Sequence, residues 1–266
     1  MNLTLAIVCI LGLIYPAYII ITNKKTNERI MRNAGYRITD YKITITILWV
    51  LALLVFFNYF LSNPPEINLA PDISLLSIAL FILSVSFLLL QYKTMKVTAG
   101  TYNAIKEKLK DIYHYLPKTK TELSWFAAVS ISAGVCEEIL FRVFLYSYLS
   151  EKVHVIIAML IANIIFAITH IGSGVKNILS SLLLGLLFSV VYYYTENIWI
   201  VVVLHTGIDM NTGILGYRKE HTTIMRTVTF FTGTKAKASA CCWFMAIPTT
   251  GLTLKKYFLH LLYTTG

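Results

Sequence analysis

The sequence predicts an all-α polytopic membrane protein with about seven transmembrane helices, its N-terminus outside and its C-terminus cytoplasmic. Three observations carry that expectation. The 266 residues are 57% hydrophobic and only 14% charged, too apolar for a soluble domain of this size. The apolar residues come in blocks long enough to cross a hydrocarbon core of about 30 Å. The loops between the blocks alternate without exception, basic and then acidic or neutral, which sets the orientation by the positive-inside rule. The net charge of +10 therefore reads as topology signals and contacts to anionic membrane lipids, and no nucleic-acid partner is implied.

Leu3 to Ile21 is the first span, with Pro16 tolerated as a kink. It lacks the basic n-region and small-residue cleavage site of a signal peptide. Thr22 to Lys42 is a polar loop with six Lys or Arg against two acids. Ile43 to Leu61 spans again, and Ser62 to Asp72 contains Pro64-Pro65, two acids and no base. Ile73 to Gln91 is the third span. Tyr92 to Glu122 is a second basic loop with seven Lys, in which Tyr102 to Tyr115 suggests a short amphipathic helix lying on the membrane. The fourth span ends near Leu149, and Ser150 to His154 is a tight connection. Val155 to His170 is the fifth span, broken by Gly172-Ser173-Gly174. Asn177 to Thr195 is the sixth, ending in the interfacial anchor Tyr192-Tyr193-Tyr194. Ile198 to about Leu215 is the seventh. The apolar pieces of the remaining tail are too short or too charged to span, so it reads as a cytoplasmic extension. The chain thus divides into a three-span region (1–115), a four-span core (116–217) and a basic tail (218–266). The four cysteines have no metal-ligand spacing and imply no disulfide.

The chemistry is concentrated in the core. Glu137, Glu138, Arg142 and Asp209 are the only charges well inside spans, and His170 and His205 the only histidines there. A charge at mid-bilayer costs about 2.5–3.5 kcal/mol on insertion scales, so a chain that keeps four of them uses them. Glu138 and Arg142 stand at i and i+4 and pair. Glu137 is turned about 100° away, on a face with Ser130, Gly134 and Phe141, where small residues let a neighbouring helix approach. His205 and Asp209 are also i, i+4 neighbours, so the carboxylate orients the imidazole. Asn163 lies two helical turns before His170 on the same face. A desolvated Glu beside a His is suited to taking a proton from water, and a second, oriented His to stabilising an oxyanion or protonating a leaving amine. That set fits amide hydrolysis. Cys136 lies about 100° round the helix from Glu137 and reads as packing.

Glu137-Glu138-x-x-x-Arg142, Phe166-x-x-x-His170 and His205-x-x-x-Asp209 resemble the three motifs of the CAAX-processing and bacteriocin-processing (CPBP, or Abi) family of intramembrane proteases. Flanking stretches agree: Leu116 to Glu122, Gly185, and Thr195 to Trp199. The resemblance covers about Leu116 to Asp209. It implies a seven- or eight-helix protease in which Glu137 and His170 activate water while His205 and Asp209 stabilise the oxyanion. Glu138, Arg142, Asn163 and Phe166 take supporting roles. Two departures stand out: Val143 where the family usually has Gly, and Asp209 where Asn is commoner.

The expected substrate is a membrane-associated peptide or protein, and the expected location the cell membrane, crossed several times. The preferred mechanism needs no cofactor; if zinc is bound, Glu137, His170 and His205 are the available ligands. The competing readings are a bacteriocin-immunity or peptide-binding protein without proteolysis on the same fold, and a proton-coupled transporter, whose inverted repeats the chain lacks.

Overall fold

A computed structural model of the protein describes residues 3–62, 69–71, 73–98 and 100–232. The expectations for the tail beyond residue 232, and for residues 63–68 and 72 of the second loop, lie outside the described residues. Helices make up the fold, and the described residues contain no strand: α1 (Leu3–Arg32), α2 (Tyr36–Ser62), α3 (Leu75–Thr94), short α4 (Tyr102–Lys108), α5 (residues 120–150), α6 (Val155–Thr169), α7 (Val175–Thr195) and α8 (Ile198–Thr232). By length and composition five can cross a membrane, namely α1, α2, α3, α7 and α8, and α6 is a shorter apolar helix. The sequence reading counted α6 and the charge-bearing α5 as spans as well. The outer faces are strongly apolar: Phe60 and Leu75 are 80% and 84% exposed, and only 17% of the spanning window of α3 is buried. Such surfaces are stable against lipid and not against water. The chain is a multi-pass, all-α membrane protein.

Several element ends differ from the sequence reading, each for a local reason. Pro16 has no N–H to donate, and its ring crowds the preceding turn. The helix accommodates it with a π-helical turn at Ile10–Ile14 and then runs on to Arg32, well beyond Ile21. The segment expected to lie on the membrane is helical only over Tyr102–Lys108. Its apolar residues Ile105, Leu109, Ile112 and Leu116 are buried in a cluster with Tyr41, Met95, Phe126 and Leu215. Protein rather than lipid covers that face. The helix of the seventh span does not stop near Leu215. Arg218 donates to Met95 O at 3.0 Å and Lys219 lies over the Tyr113 ring at 3.1 Å, so the last polar turns are held against the second basic loop as α8 continues to Thr232.

Helix α5 is the centre of the bundle, packed on α2, α6 and α8. It opens with a capping box: the Thr119 hydroxyl accepts from Glu122 N at 3.2 Å, and the Glu122 carboxylate accepts from Thr119 N at 3.0 Å. Glu122 also receives the buried Arg37 at 2.5 Å, and Arg37 Nε donates to His114 O at 2.8 Å. A base that reads in sequence as one more topology signal thus also clamps the start of α2 to the start of α5. Further along, a Cβ on Gly134 would lie 2.1 Å from Thr206 Oγ1 and 3.1 Å from the backbone at Thr206 and Val202. Helices α5 and α8 therefore meet backbone to backbone, which brings the face of Glu137 to His205.

Candidate active site

Glu137 and Glu138 are the last residues of the α-helical part of α5, immediately before a π-helical stretch at Ile139–Tyr146. Such wide turns inside α-helices occur frequently at functional sites. From α8, His205 and Asp209 project from successive turns. Helix α6 ends at Thr169, so His170 sits at its C-terminal cap, followed by a 3-10 turn at Ile171–Ser173 and by Gly174, whose φ of 96° needs a residue without Cβ.

His205 is the hub. Its Nδ1 lies 2.7 Å from Glu138 Oε1. An ionised carboxylate only accepts, so Nδ1 carries a hydrogen and donates it. Its Nε2 faces Glu137 Oε2 at 3.8 Å and Asp209 Oδ2 at 3.6 Å. Both separations exceed a hydrogen bond, yet one small molecule can touch all three atoms. Glu137 Oε2 and Glu138 Oε2 are buried without a hydrogen-bond partner. A buried carboxylate oxygen left unpaired costs free energy, and retaining one is a mark of a site that takes something else.

The placement of Glu138 differs from the sequence reading. Glu138 was expected to turn away to Arg142, leaving the histidine to Glu137. Instead its Oε1 is shared between Arg142 Nη1 at 3.2 Å and His205 Nδ1 at 2.7 Å. Adjacent helical residues do diverge, but an imidazole carries a nitrogen on each side. A single ring set between two diverging carboxylates engages both.

Arg142 also does more than pair within its own helix. Its Nη2 donates to Asn163 Oδ1 on α6 at 3.2 Å and to Gly185 O on α7 at 3.3 Å. Its guanidinium lies 4.4 Å from the centre of the Phe166 ring and 5.7 Å from that of Phe188. Asn163 in turn donates to Ser189 Oγ and Met159 O, each at 2.8 Å. The close approach at Gly185, where a Cβ would lie 2.4 Å from Asn163 Oδ1, makes room for this cluster.

His170 stands slightly apart. Its Nδ1 lies 3.1 Å from Phe166 O, and because a carbonyl only accepts, Nδ1 donates and Nε2 is a bare acceptor. The Phe166 ring is 4.7 Å from the ring of His170 and 6.2 Å from that of His205. The structure therefore brings Glu137, Glu138, His205 and Asp209 together directly, and places His170 on the same aromatic ring as His205. Cys136 is fully buried among Leu48, Ala52 and Ala133, with no part in the cluster. Val143 packs with Leu184, Phe188 and Val201.

Phe188 and Ser189 on α7 were not anticipated, because α7 has no ionisable residue in its apolar stretch to draw attention. Tyr15 on α1 and Tyr115 were missed as well, although both interact electrostatically with Glu137. No local motif signals either.

For zinc on Glu137, His170 and His205, both histidines engage Nδ1, with Glu138 and with Phe166 O, and keep Nε2 free, as a metal-bound histidine does; but among the described residues no three His, Cys, Asp or Glu side chains are grouped closely enough to hold a metal ion.

Residues 119–211 match the family model described as Rce1-like, Type II CAAX prenyl endopeptidase Rce1-like. An 86-residue stretch is 34% identical to a Bacillus subtilis (strain 168) protein named "Putative membrane peptidase YdiL", covering 32% of this chain and 34% of that protein. The chain thus spans about a third of the length of the curated relative it matches. No solved structure matches it.

Proposed function

Through residues 119–211 the chain belongs to the CPBP family, and from that premise we propose that it is an intramembrane endopeptidase hydrolysing a peptide bond in a membrane-associated peptide or protein. The observation that carries the reading is the unpaired, buried Glu137 Oε2 facing His205 Nε2 across 3.8 Å. Glu137, assisted by the bare Nε2 of His170, takes a proton from water. The hydroxide adds to the carbonyl carbon, and the oxyanion that forms is met by Nε2 of His205, which donates in its doubly protonated form. Collapse breaks the C–N bond, and Glu137 returns its proton to the leaving amine. Glu138 holds His205 from behind through Nδ1, Asp209 flanks Nε2, and Arg142 balances the charge of Glu138.

The direct test compares membrane peptides, by mass spectrometry, from cells with and without the protein. Shortened peptides that depend on the protein are expected. A purified sample in micelles should continue to cleave such a peptide after exhaustive chelation. Identical peptide populations would leave the binding reading in place of the enzyme, and activity lost to chelation and restored by zinc would overturn the metal-free mechanism.

The reading includes an orientation in which the basic loops face the cytoplasm, warranted by their unbroken alternation. A reporter inserted at Gly35 or Gly100 is expected to read cytoplasmic, and one in the loop after Ser62 external. Reversal at any two of these positions would invert the arrangement.

A further inference from the structure

A cleft lies between the inner ends of α1 and α2, the segment Ile112–Tyr115 and the turn that follows His170. Its cavity volume is about 170 Å³, smaller than the roughly 300–1,000 Å³ usual for pockets that enclose a whole small molecule. One wall is the loop of the site itself: Gly172 lines the cleft, and Asn27 Nδ2 donates to Gly172 O at 3.1 Å. Tyr15 and Tyr115, which also interact electrostatically with Glu137, line it too. The cleft therefore lies beside the candidate active site.

The lining has a specific chemistry. Asp40 is its only carboxylate, and it makes no hydrogen bond or ion pair with any described residue. The nearby bases are otherwise engaged: Arg37 with Glu122 and His114 O, and Lys42 over the Trp125 ring at 4.7 Å. His114, the other ionisable ring in the wall, is pushed below the usual imidazole range by burial and by Arg37 and Lys118, so it is neutral at pH 7 and contributes no cation. Three tyrosines, Tyr15, Tyr18 and Tyr115, line the same cleft, and Tyr115 interacts electrostatically with Asp40. An unpaired carboxylate among aromatic faces is a combination that recognises cations, by charge-assisted hydrogen bonding and by attraction to the ring faces.

We propose that this cleft is the specificity site of the proposed peptidase and takes a basic group of the substrate peptide, with Asp40 as its counter-ion. The assignment rests on the proposed peptide hydrolysis for its biological meaning, and its test is made on binding so that the two fail separately. The probes are fluorescent peptides, amino-acetylated and identical except for a single Lys or Gln moved along the sequence, together with the Gln peptide carrying a free amino end. Each is titrated by anisotropy into the full chain with Glu137→Gln, in micelles. In at least one register the Lys peptide is expected to bind about tenfold more tightly than its Gln partner, and Asp40→Asn to erase the difference. If the free-amine Gln peptide shows the same Asp40-dependent gain, the cation is the chain end rather than a side chain. Asp40→Lys should reverse the preference toward a Glu peptide and guard against a merely misfolded Asp40→Asn. No Lys preference in any register, or one untouched by Asp40→Asn, overturns the proposal whether or not Glu137→Gln still cleaves.

Discussion

Glu137→Gln is expected to lower cleavage of a membrane peptide in purified micelles by roughly a thousandfold, the scale of losing a general base, with wild-type abundance. The substitution keeps the shape of the side chain and removes its ability to accept a proton. Nothing in the fold depends on that ability: Glu137 Oε2 has no hydrogen-bond partner to lose, and His205 remains held by Glu138 at 2.7 Å. His170→Ala should behave similarly, because the Nε2 it presents is also free of structural work. Asp209→Asn should be milder, since an amide 3.6 Å from Nε2 still flanks His205 and matches the residue commoner in the family. Abundance followed by an epitope tag separates loss of chemistry from loss of protein. If Glu137→Gln cleaves at the wild-type rate, the carboxylate is not the base and the peptide-binding reading replaces the enzyme.

Arg142→Ala is expected to fail in a different way, by loss of the folded protein. Breaking a buried ion pair by removing one partner costs about 3–5 kcal/mol, a large part of a typical stability of about 5–15 kcal/mol. Here one guanidinium joins four helices, through Glu138 on α5, Asn163 on α6, Gly185 O on α7 and, by way of Glu138, His205 on α8. Its removal leaves Glu138 buried and uncompensated. Abundance in the membrane and recovery from size exclusion should both fall sharply. Arg142→Lys should restore little, because an ammonium lacks the planar fork that reaches two acceptors at once. The double variant Glu138→Gln with Arg142→Ala should recover part of the abundance, because no net charge is then left behind. Full abundance of Arg142→Ala would mean that the ion pair is dispensable and that tight packing at Gly185 and Phe166 holds these helices alone.

How much of this was legible beforehand varies along the chain. The spans were readable because a bilayer imposes its thickness on any helix that crosses it, so hydropathy is a direct record of the element. The ends were less readable. Pro16, the α4 segment and the last turns of α8 depend on what lies alongside them, and a polar residue in sequence gives no sign that Met95 O or the Tyr113 ring is waiting for it. Arg37 shows the same limit: its charge placed the loop, but its burial against Glu122 depends on a helix that starts more than eighty residues later.

By itself the sequence determined the composition of the site. Ionisable side chains are so costly in hydrocarbon that the few left inside spans had to belong together, and their helical spacing already implied the pairs Glu138–Arg142 and His205–Asp209. Tertiary structure alone decided how they are shared. It set His205 between both glutamates, put the Phe166 ring beside both histidines, fanned Arg142 across three helices and opened a cleft with an unpaired Asp40 beside the turn after His170. The physical reason is that periodicity fixes direction only within one helix, whereas these contacts depend on the distance and rotation between helices, which small residues such as Gly134 and Gly185 set by letting backbones meet.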